Sequence, residues 1–364
     1  MASTLKEISD HPAVTLPALA ASLRICSLTQ ESFERWDRFV LEHPGGSPFH
    51  LTSWKRSIEA TFGFEPCYLY AERAGQITAV APLFVISNWI MGRCLLSTPF
   101  AVYGGICAAN AESERFLIDH LKELAHSQAI QYLELRFRQH ESLPQFAPNT
   151  LYSTFTSDLS PDPEANLKRL PRDTRYMIRK SAKSGLRAHR GADQLDAFYQ
   201  LFSLNLLRHG TPAIPLTLFK NLIREFGGST DLLMVYSGTK PVTGVFSFTY
   251  RDTILPYYAG ASDEAYGLSA NNFMYWELMK NAALDGVLHF DFGRSKRGTG
   301  SFNFKSQWNM IVEPLDYQIH LVKRKELPNF SPVNPKFQMA TNLWKKMPLR
   351  LANWLGPRVV RWFP

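Results

Sequence analysis

Apolar and polar positions alternate along this chain in two rhythms that change places. Three- and four-residue spacing predicts helices near 30–42 and 52–62. Alternating or continuous apolar runs predict strands at 67–73, 76–86, 93–97 and 102–108. A helix near 111–126 then leads into a strand over 131–136. After a Pro-rich polar stretch at 140–150, another strand falls near 151–158. The turn Ser160-Pro161-Asp162-Pro163 opens a second round. It predicts a basic helix over 172–184 ending at Gly185, a strand at 186–190, and helices at 194–208 and 215–226. Strands at 231–237, 241–250 and 253–261 follow, then a helix near 271–285, a strand at 287–292 and a last strand near 315–322.

The two rounds share an order: two helices, a meander of about three strands, a helix, a strand. Tyr68 to Phe84, turning at Ala74-Gly75, matches Leu232 to Phe248, turning at Gly238-Thr239. Helices around a mostly antiparallel sheet, repeated once, predict an α+β protein of two similar domains. The expected boundaries are a leader over 1–22, a first domain over 23–160, a second over 161–325 and a tail over 326–364.

Composition narrows the choice. The 364 residues exceed what one core usually holds. Cys26, Cys67, Cys94 and Cys107 lie far apart without a Cys-x-x-Cys pair. They suggest neither a zinc site nor a disulfide framework, and a reducing compartment is the simplest expectation. No apolar run is long enough to span a bilayer, and residues 12–22 lack the basic start of a secretory signal. Residues 323–364 carry nine basic groups against the single acid Glu326, which accounts for the whole net charge of +8. A general nucleic-acid reading from overall charge is therefore weak. The tail itself places Phe337, Ala340, Leu343, Trp344 and Met347 on one helical stripe, continued after Pro348 by Leu351, Trp354, Leu355, Val359 and Trp362. Basic residues flank that surface, which suits a helix lying on an anionic membrane or, equally, one packed back on the protein.

The densest candidate chemistry runs from Asp291 to Lys305. Gly293, Gly298 and Gly300 let backbone approach a ligand, and Arg294, Lys296, Arg297 and Lys305 supply positive charge. Asp291 sits at a strand end, where α/β sheets commonly bind ligands. Phe302, Phe304 and Trp308 would anchor the loop to a core. Elsewhere, Ser269-Ala270-Asn271-Asn272 begins a helix whose free amides could hold a phosphate or serve as a plain cap. Arg172, Arg175, Arg179 and Lys183 share a helical face, which suits phosphates or simple solvation. His50, Trp54 and Tyr103 could line a sugar pocket, and Tyr257 and Tyr258 could face a cleft.

Five stretches carry a family resemblance: Pro48-Phe49-His50-Leu51-Thr52-Ser53-Trp54; Pro99-Phe100-Ala101-Val102-Tyr103-Gly104-Gly105; Arg175-Tyr176-Met177-Ile178-Arg179-Lys180; Leu268-Ser269-Ala270-Asn271-Asn272-Phe273-Met274-Tyr275-Trp276-Glu277; and Phe290-Asp291-Phe292-Gly293-Arg294-Ser295 on to Phe304-Lys305. Over roughly 25–325 the chain resembles the FemAB family, whose members transfer amino acids onto cell-wall precursors, and within it the subgroup associated with exosortase/PEP-CTERM exopolysaccharide systems. The resemblance implies two tandem GNAT-like domains and an N-acyltransferase. It implies Lys305 as oxyanion stabiliser and substrate anchor, with Asp291 orienting Lys305 or Arg294 or accepting the amine's proton. It also implies a nucleotide- or lipid-linked saccharide or peptide acceptor and no tightly bound cofactor. The donor is either aminoacyl-tRNA or acyl-CoA: the long helical arm of the tRNA-using members is missing, and so is the glycine-rich acyl-CoA signature. An acetyl-CoA-dependent acetyltransferase and a non-catalytic saccharide-binding module remain the alternatives. The expected location is cytoplasmic, at the inner membrane face if the tail binds lipid.

Overall fold

The computed structural model describes residues 22–328 and 335–364, without the side chains of 335–337. The leader expected over 1–22 lies outside the described residues except for its last position. Two eight-stranded sheets form the frame. The first runs Arg24–Ser27, Glu65–Arg73, Gln76–Asn88, Gly92–Ser97, Tyr132–Arg136, Tyr317–Leu321, Ala147–Asn149, with Cys107–Ala108 added on Gln76–Asn88. The second runs Ser295–Lys296, Tyr152–Asp158, His289–Asp291, Thr253–Ala261, Lys240–Tyr250, Thr230–Ser237, Leu186–Arg190, with Ile311–Pro314 added on Tyr152–Asp158.

Both sheets are antiparallel except at one matching place. Gly92–Ser97 and Tyr132–Arg136 are parallel through Leu95↔Leu133 and Leu96↔Glu134. Thr253–Ala261 and His289–Asp291 are parallel through Thr253↔His289 and Ile254↔Phe290. In the second sheet the ladder stops there although one strand continues to Ala261, so the two strands part and leave a V between them. Register skips Tyr257 in the ladder to Lys240–Tyr250, a bulge on the arm of that V.

Two strands cross the boundary drawn from the sequence. Tyr152–Asp158, expected in the first unit, pairs with His289–Asp291, Ser295–Lys296 and Ile311–Pro314 in the second sheet. Tyr317–Leu321, expected in the second unit, pairs with Tyr132–Arg136 and Ala147–Asn149 in the first. Periodicity identifies a strand but says nothing about its partner. The expected loop to Lys305 also differs: Thr299 accepts the Phe302 amide and starts a short helix, Gly300–Ser306. Phe302 packs on Phe155 and Phe304 near Phe292, while Trp308 is buried, so the expected aromatic anchoring holds.

The halves share a core. Trp54 is fully buried at 6.0 Å from Phe248, and Phe49 at 6.1 Å from the same ring. Helices Thr52–Phe62 and Leu216–Phe226 pack together across the junction, where Arg56 pairs with Glu225 at 2.5 Å. At the C-terminal side, helices Pro335–Lys345 and Leu349–Val360 lie on Leu195–His209. Ala352, Gly356 and Val360, four residues apart, turn inward. A Cβ on Gly356 would stand 3.0 Å from the Ala213 nitrogen. No helix among the described residues is long and apolar enough to cross a membrane.

Candidate active site

Two clefts open where the sheets meet, of about 510 and 530 Å³. Between them stands a buried polar knot. Asp291 accepts from Tyr103 Oη at 2.8 Å, Thr154 Oγ1 at 2.9 Å and the Gly293 amide at 2.9 Å, and Arg138 stands 3.6 Å away. With three donors and a guanidinium around it, Asp291 is held in place at the centre of the knot. Tyr152–Asp158 supplies Thr154, and the segment after Gly92–Ser97 supplies Tyr103, so the knot ties both halves.

The first cleft contains Asp291, Tyr103, His50, Arg138, His140 and Arg251. Arg138 and His140 there have carboxylate partners, while Arg251 donates to the Val40 and His43 carbonyls. Arg138 pairs with Glu313 at 3.3 Å as well as facing Asp291. His140 Nε2 donates to Glu114 at 2.7 Å, which raises the imidazole's pKa. Burial lowers that of His50 to about 4, and its ring lies between Ser47 Oγ at 2.7 Å and the Gly105 carbonyl at 2.8 Å. His50 is therefore neutral, with protein groups on both ring nitrogens.

The second cleft lies in the V of the second sheet and contains Lys305, Arg294, Lys296, Tyr257, Tyr258 and Tyr317. Lys305 rises from the short helix to donate to the carbonyls of Gly293 at 3.0 Å and Arg294 at 3.2 Å. Gly293 holds φ 72°, the left-handed region, which aims its amide at Asp291 and its carbonyl at Lys305. Burial among Phe292 at 5.3 Å and Phe155 at 6.0 Å lowers the pKa of Lys305 to about 7, although Asp291 opposes the shift. Lys305 thus loses its proton far more readily than an exposed lysine.

Arg294 lies over Tyr152 at 4.5 Å and Tyr317 at 5.9 Å and donates to Tyr317 Oη at 3.2 Å. Among the described residues no carboxylate forms an ion pair with it. Nearby Arg136, by contrast, is held by Glu134 at 2.7 Å and by the carbonyls of Thr98 and Ala101. The buried Tyr258 hydroxyl, on the cleft wall, has no partner among the described residues. The Tyr258 ring packs on Phe202 at 5.7 Å and Phe219 at 5.1 Å.

Comparison with known proteins agrees with this architecture. Residues 168–306 match the model of the Acetyltransferase (GNAT) domain. FemX superimposes with a TM-score of 0.63 at 14% identity, over 87% of this chain and 100% of that one. L-PGS from Bacillus licheniformis does so at 0.52 and 13%, over 88% and 98%. A tandem GNAT protein from the clavulanic acid biosynthesis pathway gives 0.52 and 11%, over 84% and 100%. The fold is a tandem GNAT fold. No curated protein matches the chain.

Of the residues expected from the sequence, the tandem GNAT frame brings Lys305, Arg294, Lys296 and Tyr258 into one cleft and Asp291, Tyr103 and His50 into the other. Trp54 leaves the expected sugar pocket: it is fully buried, packed on Phe49 at 4.8 Å. Arg175 and Arg179 sit on helix Arg172–Ala182, lining neither cleft, and Arg175 donates to the Lys168 carbonyl. Asn271 and Asn272 also line neither cleft. Asn271 accepts from Thr243, while the amides of Asn272 and Phe273 bond the Ser269 carbonyl. Sequence reading missed Arg136, Arg138, Tyr152 and Tyr317. The last two come from the exchanged strands, and no local signal marks them.

Proposed function

We propose that the protein is an N-acyltransferase of FemAB type, moving an aminoacyl or acyl group onto an amine of a cell-envelope peptidoglycan or exopolysaccharide precursor, and that it belongs to the exosortase/PEP-CTERM-associated subgroup. The observation that carries this reading is Lys305, a buried lysine bonded to two carbonyls beside an arginine without a carboxylate partner among the described residues, in the V of a GNAT-type sheet. Lys305 engages two carbonyls and keeps its third direction for the cleft. When neutral it takes the proton of the attacking amine, a role that suits its acidity better than oxyanion stabilisation. The amine nitrogen forms a bond to the donor carbonyl carbon, and the carbon–oxygen bond of an aminoacyl ester or carbon–sulfur bond of a thioester breaks. The leaving oxygen or sulfur recovers a proton. Asp291 positions Lys305 through the Gly293 turn.

Arg294 and the Tyr258 hydroxyl would hold an anionic group of the substrate, which favours a phosphate-bearing acceptor, nucleotide- or lipid-linked. The donor is aminoacyl-tRNA or acyl-CoA. The turn between Thr253–Ala261 and Ala270–Leu284 holds one glycine, Gly267, and its amides at Ala265, Tyr266, Leu268 and Ser269 bond local carbonyls. That turn is a poor fit for the diphosphate of coenzyme A, so the aminoacyl ester is the preferred donor. The GNAT domain match keeps acetyl-CoA as the second reading.

The test supplies the purified chain with radiolabelled aminoacyl-tRNA or acetyl-CoA and a set of amine-bearing envelope precursors. Label should pass to a phosphate-linked acceptor with the wild type and not with Lys305→Met. No transfer from either donor to any acceptor would leave only a binding role.

A further inference from the structure

One side of the molecule exposes large apolar groups without covering them. Met339 is 84% exposed, Leu343 69%, Trp354 59% and Leu351 43%, all on the two C-terminal helices. Just past the end of the second helix, Trp362 stands 5.8 Å from the ring of Trp89, which is 79% exposed at the tip between strands Gln76–Asn88 and Gly92–Ser97. The opposite face of the second helix is already used, since Ala352, Gly356 and Val360 pack inward. The outward residues therefore do not complete the fold.

The same side is strongly basic. Lys345, Lys346, Arg350, Arg358 and Arg361 are exposed, and residues 327–364 contain no acid. Arg358 lies over the Trp354 ring at 4.4 Å, holding a cation and an aromatic face together. A second copy of the chain is a poor occupant, because a twofold contact would press these cations against themselves. We infer that this face docks on an anionic lipid membrane, with the tryptophans and aliphatic side chains entering the headgroup boundary and the cations on the lipid phosphates. Met91, Phe363 and Pro364 line the cleft that holds Lys305. Docking would thus bring that cleft's rim to the lipid surface. The consequence that its acceptor is lipid-linked rests on the acyltransferase reading; docking itself does not.

The experiment sediments the full chain with vesicles of phosphatidylcholine alone or mixed with phosphatidylglycerol. Binding is expected only with the anionic lipid and should weaken as salt rises. Replacing Lys345, Lys346, Arg350 and Arg358 together by Gln should weaken it roughly 600-fold, since each of the four cations contributes about a fivefold factor. The combination Trp89→Ser, Leu343→Ser and Trp354→Ser should weaken it at least tenfold without changing Tm, because all three side chains are exposed. Lys305→Met should bind vesicles like the wild type, which separates docking from catalysis. A wild type that stays in the supernatant, or substituted forms that bind equally well, overturns the inference. So does a dimer that the serine combination turns into a monomer without vesicle binding.

Discussion

The two clefts flank the same knot of Tyr103, Thr154 and Asp291, yet they treat charge differently. In the first, Arg138 meets Asp291 and Glu313, and His140 meets Glu114. In the second, among the described residues Arg294 meets aromatic rings and a hydroxyl but no carboxylate, and burial, with Arg294 nearby, lowers the pKa of Lys305. A charge with a local partner contributes to the frame; a charge without one is stabilised by what binds next to it. On the proposed reading, chemistry belongs to the second cleft and support to the first.

The strongest way to break that contrast is Lys305→Met. Loss of a positioned base should lower kcat about a hundredfold or more with the fold intact by circular dichroism. Near-normal turnover would remove the second cleft's claim. The pH profile sharpens the same point: kcat should rise through pH about 7 as Lys305 loses its proton, whereas a decline there would return it to an oxyanion role. Next in size, Arg294→Gln should raise the acceptor KM on the order of tenfold, the effect of a lost charge-assisted hydrogen bond. Arg138→Gln, across the knot, should change KM less than threefold, since half-exposed ion pairs contribute about 0–1 kcal/mol. Equal KM effects from the two would erase the distinction. Gly293→Ala puts a side chain at φ 72°, costing about 1–2 kcal/mol, and should show as a lower Tm together with reduced kcat.

A quieter test uses stability alone. The folded pKa of Lys305 lies near 7 and its unfolded value near 10.5, so between these the unfolded chain carries the extra proton. Wild-type stability should therefore climb relative to Lys305→Met as pH rises from 7 toward 10. Parallel curves in urea unfolding at pH 7 and 9 would mean that Lys305 is not desolvated.

Much of this frame was legible in the chain. The meander 230–261 and the helices 195–209, 216–226 and 270–284 follow the sequence rhythm to within a residue or two, because their apolar runs are long and bounded by turn residues. The strands 152–158 and 317–321 were legible as strands but not as exchanged ones, since pairing over such separations leaves no local mark. The cluster Asp291, Arg294, Lys305 stood out through glycines and charge, although the helix carrying Lys305 depends on one cap, Thr299. Trp54 misled because an aromatic beside polar residues reads the same whether it lines a pocket or fills a core. Arg294 was readable as a cation, but its lack of a carboxylate partner is visible only in three dimensions.

The exchanged strands also govern how the chain can assemble. During synthesis the first sheet must wait for Tyr317–Leu321, which arrives after nearly all of the second has emerged, and until then Tyr132–Arg136 presents a bare edge. Neither half can reach its final hydrogen-bonded state from its own contiguous segment. A nascent chain stalled near residue 310 should therefore be a client of chaperones, and cutting between the units should yield two incomplete fragments that regain order only when mixed.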